Sequence, residues 1–142
     1  MTINEIQDEI IDEFAFFDDW MEKYEFLISL GKDLPLIEDK YKDEQHLIKG
    51  CQSRVWLHAE KDGNRVVFTA DSDAIITKGI IALLIRVLSG QKARDIAEAD
   101  LYFIDKIGLH EHLSPARSNG LRNMLKQMKM YALALSAKEK VD

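Results

Sequence analysis

The chain has a single cysteine, Cys51, among its 142 residues. One thiol excludes an internal disulfide and a Cys-x-x-Cys oxidoreductase, because both require a second cysteine. A zinc or iron–sulfur site built from several thiolates is excluded for the same reason. The cysteine count agrees with a reducing compartment. The opening residues lack the basic start and apolar stretch of a signal peptide, so we expect a cytoplasmic protein.

Long hydrophobic runs and an excess of basic charge are also missing. The longest apolar stretch, residues 74–88, contains Lys78 and Arg86 and is shorter than the ~20 residues that cross a bilayer. The formal net charge is −6, whereas binding to a nucleic-acid backbone requires clustered lysine and arginine. We therefore expect neither a membrane protein nor a nucleic-acid-binding protein.

Proline is scarce, with two residues, and no low-complexity segment or repeat divides the chain. The apolar content of 46% and the charged content of 31% are typical of a globular protein. A chain of this length forms one ordinary domain. We predict a single domain over residues 1–142, with an ordered core from about residue 3 to residue 136.

Helix signals dominate both ends of the chain. Residues 2–5 have the spacing of a capping box, which predicts a first helix directly after it. A second amphipathic helix is predicted to begin near Asp18 or Asp19 and to end at Gly31. Ser114-Pro115 combines a capping hydroxyl with a proline at the first helical position, and this pair predicts the start of the last helix.

The middle of the chain carries the strand signals. Residues 54–60 and 66–69 flank the turn sequence Asp62-Gly63-Asn64, which predicts a β-hairpin, and residues 46–48 are a candidate third strand. Asp71-Ser72-Asp73 is predicted to cap a helix that reaches Ser89 and is apolar nearly all round. The order of elements predicts an α+β fold, in which helices cover one face of a small three-stranded antiparallel sheet.

Cys51 lies between a loop that contains proline and the first predicted strand. A cysteine with only a packing role more often occupies a periodic core position, and this segment has no such period. Gly50 gives the backbone freedom to present or withdraw the sulfur. Lys49, Arg54 and His46 are candidates for stabilising a thiolate and so lowering its pKa.

Two reactions remain open to one thiol. The first is nucleophilic hydrolysis, in which one of the four histidines would act as the base. The second is sulfur relay, in which the thiolate attacks an incoming persulfide, takes its terminal sulfur and later presents that sulfur to another thiol. Hydrolysis requires a histidine within hydrogen-bond reach of Cys51. A third interpretation is an adaptor that regulates a partner by docking alone and does not use the thiol.

Residues 46–57, HLIKGCQSRVWL, resemble the cysteine motif of the SufE family of sulfur acceptors. The resemblance continues in order at residues 68–74, 78–79, 82–84, 90, 113–121 and 124. It implies a fold like those of SufE and IscU. It also implies that Cys51 receives a persulfide sulfur from a SufS-like cysteine desulfurase, which carries pyridoxal phosphate (PLP). The recipient would then be an iron–sulfur scaffold of the SufB or SufBCD type.

The resemblance further implies that this chain carries sulfur without binding a metal, a cluster or a cofactor of its own. We expect a monomer or a weak dimer. Besides Cys51, the candidates for supporting or docking roles are Lys49, Gly50, Gln52, Ser53, Arg54, Asp73 and Arg117.

Three further residue patterns have structural explanations beside functional ones. Arg117 falls in the first turn of the last helix, where a cation opposes the helix dipole, and this makes a functional role plausible. Gly120 lies inside that helix at a cost of ~1 kcal/mol relative to alanine, which indicates close packing against another backbone. His110 and His112 are expected in a solvated loop, and two ligands are too few for a metal site.

Overall fold

The computed structural model describes the backbone of residues 1–141 and the side chains of residues 1–137, so residue 142 of the predicted domain lies outside the described residues. Within this part of the chain, the strands are β1 (Val55–Asp62), β2 (Arg65–Ser72) and β3 (Gln91–Lys92). The helices there are α1 (Ile3–Ala15), α2 (Trp20–Gly31), α3 (Ile75–Leu88), α4 (Ala93–Glu98), α5 (Phe103–Lys106), α6 (Leu109–His112) and α7 (Pro115–Val141).

The predicted hairpin is confirmed as the antiparallel pair β1–β2, which places Leu57 opposite Ala70. The third strand was predicted wrongly, because β3, formed by Gln91–Lys92, pairs with β2 and gives the order β1-β2-β3. Residues 46–48 form only an isolated bridge between Leu47 and Trp56. A 3₁₀ turn at Glu44–His46 occupies the residues that would extend this bridge into a strand.

The core lies between the sheet and the helices. Leu57 and Phe68 point inward from β1 and β2 and are fully buried, and most of α3 is buried against them. Helix α2 crosses α3 at Gly79, where a Cβ atom would lie 2.3 Å from the backbone oxygen of Leu27. The helices therefore cover one face of the sheet, as predicted. None of the described helices combines the length and the hydropathy that crossing a bilayer requires.

Side-chain caps fix the starts of three helices where the sequence predicts them. Thr2 and Glu5 form the capping box of α1. The Asp19 carboxylate accepts a hydrogen bond from the Glu22 N–H at 2.9 Å at the start of α2. The Ser114 hydroxyl accepts one from the Arg117 N–H at 3.2 Å at the start of α7.

The predicted cap of α3 is wrong. Asp71 and Ser72 belong to β2, because the pairing with β1 continues as far as Ser72, and Ala74, which precedes the helix, offers no side-chain capping hydrogen bond. The Asp73 carboxylate instead accepts a hydrogen bond from the Arg54 N–H at 3.1 Å. The predicted loop around His110 and His112 is likewise wrong, because both residues lie in the short helix α6.

Residues 35–47, here called the strap, cross the face of the sheet opposite the helices. The strap begins with a bridge to Ala70 of β2 and ends with the bridge to Trp56 of β1. Between these points, the Tyr41 ring stacks on His58 with centroids 3.8 Å apart, and Lys42 pairs with Asp71 at 2.7 Å. Both faces of the hairpin are thus in contact with other parts of the chain.

Candidate functional site

The cysteine lies in a loop whose two ends are tied together. The Ile48 N–H donates to the Val55 carbonyl at 2.9 Å and closes residues 49–54 into a tip beyond β1. At the β1 end, the Arg54 carbonyl accepts a hydrogen bond from the Ser72 hydroxyl at 2.8 Å, and the Arg54 N–H donates to Asp73. Because the base of the loop is fixed, its tip presents Cys51 at a defined place.

The Cys51 side chain is half-buried and faces α7. Its thiol points at the Gly120 carbonyl, with 3.7 Å between the sulfur and the oxygen. A Cβ atom on Gly120 would lie 3.6 Å from Sγ, so the bare glycine leaves open space beside the sulfur. The prediction that Gly120 packs against another backbone is therefore wrong, because the group it faces is the cysteine thiol.

A cavity of about 240 Å³ opens around the sulfur, between the loop, α3 and α7. Its lining includes the hydroxyls of Ser53 and Thr77, which lie 3.5 Å apart. Arg117 also lines the cavity, and its exposed side chain forms no ion pair with another described residue. The full lining comprises Cys51, Gln52, Ser53, Thr77, Ile80, Ser114, Ala116, Arg117, Gly120 and Met124.

Burial raises the pKa of the Cys51 thiol above its ordinary value. The cations near Cys51 in the sequence predicted a lowered pKa, and that prediction is wrong for this conformation. The side chains of Lys49 and Arg54 are exposed, and His46 makes its contacts with Asp43 and His58. With the loop in this position, the thiol is held mainly in its protonated form at neutral pH.

The predicted site residues divide into two groups. Gln52, Ser53 and Arg117 line the cavity together with Cys51. The other predicted residues are not among those that line it: Lys49, Gly50, Arg54 and Asp73. Among this second group, Arg54 and Asp73 tie down the base of the loop, and the Gly50 carbonyl accepts a hydrogen bond from Asn123 at 3.0 Å.

Sequence reasoning missed several residues of the site, although two of them carried a signal. Thr77 is the polar residue among the buried residues of α3, which are otherwise apolar or glycine, and Gly120 weakens the interior of a long helix. A buried polar side chain and a glycine inside a helix each indicate that a neighbouring group requires that residue type. Asn123 had no comparable signal, because asparagine on a partly exposed helix face is common.

None of the four histidines is among the residues that line the cavity. His46 and His58 lie on the strap side of the sheet, with 3.3 Å between their facing ring nitrogens. The His112 ring stacks on Trp20, with centroids 3.9 Å apart, and His110 lies in the same short helix. Among the described residues, no three histidine, cysteine, aspartate or glutamate side chains are grouped so that they could hold a metal ion.

Known proteins resemble this chain in sequence and in fold. An uncharacterized SufE-like protein of Rhizobium meliloti (strain 1021) is 42% identical over 130 residues, which cover 88% of this chain and 93% of that protein. SufE-like protein 1, chloroplastic/mitochondrial, of Arabidopsis thaliana is 41% identical over 135 residues, covering 94% of this chain but 36% of the longer plant protein.

The solution structure of a hypothetical protein from Thermus thermophilus has the same fold, with a TM-score of 0.75. The match covers 91% of this chain and 94% of that one at 20% identity, so it supports the fold alone. Residues 8–132 match the family described as SufE: Fe-S metabolism associated domain. The chain therefore belongs to the SufE family and has a role in iron–sulfur metabolism.

Proposed function

We propose that Cys51 accepts a sulfur atom as a persulfide from a SufS-like cysteine desulfurase and passes it to a SufB-like or SufBCD scaffold. The observation that carries this proposal is the position of the only cysteine, at a loop tip beside a cavity that opens to solvent. In this proposal PLP belongs to the desulfurase, and this chain works in the cytoplasm with no cofactor of its own, as a monomer or weak dimer.

The transfer step exchanges one sulfur–sulfur bond for another. The Cys51 thiol loses its proton, and the thiolate attacks the terminal sulfur of the persulfide on the desulfurase cysteine. A bond forms between Sγ and that sulfur while the bond inside the desulfurase persulfide breaks. The desulfurase cysteine leaves as a thiolate and takes up a proton, so no external oxidant or reductant is consumed.

The raised pKa of the Cys51 thiol indicates that the loop also controls when the sulfur reacts. In the closed position, burial keeps the sulfur protonated and therefore slow to react with small oxidants and alkylating agents. Attack on a persulfide requires the thiolate, so we propose that docking moves the loop outward and restores an ordinary pKa. A shift of this kind would limit the reaction to the partner that moves the loop.

After transfer, the cavity beside Gly120 offers space for the second sulfur atom. The Arg117 guanidinium lines the same cavity and is free to pair with the negative charge of a persulfide anion. The Ser53 and Thr77 hydroxyls add hydrogen-bond donors. These groups support a sheltered persulfide that waits for the scaffold.

The two alternatives make different predictions. A stand-alone cysteine hydrolase needs a base near the thiol, and the absence of histidine from the described lining of the cavity weighs against it. A docking adaptor would act on the desulfurase without the thiol. Replacing the sulfur of Cys51 separates the adaptor from the sulfur acceptor.

The experiment is to measure the turnover of a SufS-type desulfurase with cysteine as substrate, alone and with this protein. Wild-type protein is expected to stimulate turnover, and Cys51→Ser is expected to bind the desulfurase without stimulating it. Equal stimulation by both proteins would support the adaptor and contradict sulfur acceptance. No stimulation by the wild type would contradict both.

A further inference from the structure

The cysteine loop touches α7 at two adjacent residues. Cys51 points its thiol at the Gly120 carbonyl, and Gly50 accepts a hydrogen bond at its carbonyl from the Asn123 side-chain amide at 3.0 Å. Gly120 and Asn123 are three residues apart on α7 and therefore share one face of the helix. The Asn123 bond thus holds the peptide group that leads directly into the cysteine.

Gly50 is suited to this contact in two ways. Its φ of +83° lies in the left-handed region, which residues with a side chain rarely adopt. A Cβ atom at this position would lie 2.3 Å from the Asn123 amide nitrogen. Only glycine combines this backbone conformation with so close an approach of the asparagine.

The contact lies where solvent and a visiting protein can reach it. Asn123 is partly exposed and lines an open groove of about 870 Å³ between residues 44–49 and α7. A neutral hydrogen bond at such an edge adds only modest stability, because water competes for both groups. The bond therefore restrains the loop without locking it.

We propose that Asn123 is a positioning residue whose bond to Gly50 holds Cys51 in the closed position and so sets how often the sulfur is accessible. The pair Asn123–Gly50 is called the latch below. Its biological meaning rests on the proposed sulfur acceptance, since a sheltered persulfide requires a loop that closes and opens. Its effect on thiol access is a property of this chain alone.

The test is the rate at which iodoacetamide alkylates Cys51 in the full-length protein, measured at several pH values and expressed per thiolate. The chain has one cysteine, so the signal reports Cys51 only. Asn123→Ala is expected to react about twofold to tenfold faster than wild type, which corresponds to the loss of one modest hydrogen bond. An increase smaller than twofold would overturn the proposal.

Asn119→Ala is the matched control, because Asn119 is exposed on the same helix, one turn earlier, and does not line the cavity or the groove. Its alkylation rate is expected to equal that of wild type. Equal acceleration in both alanine variants would assign the effect to the helix and overturn the latch. Thermal unfolding of the variants checks that the rates compare folded proteins.

Gly50→Ala disrupts the same contact from the loop side, because the added methyl group displaces the Asn123 amide. This variant is expected to react faster than wild type, and adding Asn123→Ala to it should bring no further increase. If the rate increase of the double variant equals the product of the two single increases, the residues act separately and the proposal is contradicted. If Gly50→Ala fails to fold, Asn123→Asp replaces it, since a carboxylate cannot donate to the Gly50 carbonyl and must also accelerate alkylation.

Failure of the latch and failure of the proposed function give different results. If Cys51 accepts sulfur but the alkylation rate of Asn123→Ala is unchanged, the latch proposal is contradicted and the proposed function is not. Faster alkylation in Asn123→Ala, in a protein that takes no sulfur from a desulfurase, would leave the latch and remove the function.

Discussion

On the strap side of the sheet, Tyr41, His46 and His58 are satisfied by one another and by nearby carboxylates. Tyr41 stacks on His58, whose ring bonds Glu60 at 3.0 Å, while His46 bonds Asp43 at 2.7 Å. In the cavity between α3 and α7, by contrast, the Arg117 side chain has no described partner, and the one hydrogen bond described for the Cys51 side chain is to the Gly120 carbonyl.

Groups that satisfy one another stabilise a fold, whereas groups left without partners are available to a ligand or a second protein. Residue type alone does not separate the residues that stabilise the fold from those that are available for function, whereas the presence or absence of a partner does. Histidine is a common catalytic base. In this chain, however, His46 and His58 bond to each other and hold the strap against the sheet. We therefore expect substitutions in the cavity to change sulfur transfer, and substitutions under the strap to change stability.

Arg117→Ala should produce the largest change among the substitutions that test this comparison. Removal of the guanidinium leaves a persulfide anion without its charged partner, so the rate of sulfur transfer onto Cys51 should fall about tenfold or more. The measurement is persulfide formation with a SufS-type desulfurase. Arg122→Ala is the control, because its exposed side chain lies on the same helix outside the cavity lining, and it should stay within about twofold of wild type. Equal losses in both variants would contradict a specific role for Arg117.

His58→Ala tests the opposite side of the sheet. Loss of the Tyr41 stack and of the two ring hydrogen bonds should lower the free energy of unfolding by about 1–2 kcal/mol. Denaturant titration measures this change, and the rate of sulfur transfer at a temperature where the variant is folded should match wild type. Slower transfer in the folded variant would show that the strap contributes to the site.

Gly120→Ala should move stability and function in opposite directions. The alanine raises helix propensity and should increase the free energy of unfolding by up to about 1 kcal/mol. Its methyl group would lie 3.6 Å from Sγ and take space beside the sulfur, so persulfide formation should slow. Asn119→Ala also improves helix propensity and lies outside the cavity, so it should stabilise the fold without slowing transfer. Unchanged transfer in Gly120→Ala would mean that the second sulfur lies elsewhere.

The pH dependence of stability should give the smallest effect. Burial raises the pKa of Cys51 in the folded state, so folding favours the protonated thiol. The resulting contribution is complete below the unfolded-state pKa of about 8.5 and is lost as pH rises through the folded-state pKa. Denaturant titrations above pH 8 should show a steeper fall for wild type than for Cys51→Ala. Parallel curves would contradict the burial argument.

The sequence was informative where local chemistry decides the structure. The capping residues Thr2, Asp19 and Ser114 predicted three helix starts, and the turn around Gly63 predicted the hairpin, because each feature depends on neighbours in sequence. The resemblance of residues 46–57 to the SufE motif predicts Cys51 as the sulfur acceptor, and this role stays a prediction.

The errors concern contacts between distant residues. Gln91–Lys92 became the third strand because the end of α3 returns the chain to the edge of β2, which no local pattern records. Asp73 was predicted as a helix cap, but its carboxylate accepts a hydrogen bond from the Arg54 N–H instead. The thiol pKa was predicted from cations near Cys51 in sequence, whereas burial against α7 decides its direction.

The most direct test is the intact mass of the protein after incubation with a cysteine desulfurase and cysteine, followed by peptide mapping without reductant. Sulfur acceptance predicts a gain equal to one sulfur atom, located on Cys51 and absent from Cys51→Ser. An unchanged mass while the desulfurase turns over, or an added sulfur that persists in Cys51→Ser, would contradict it.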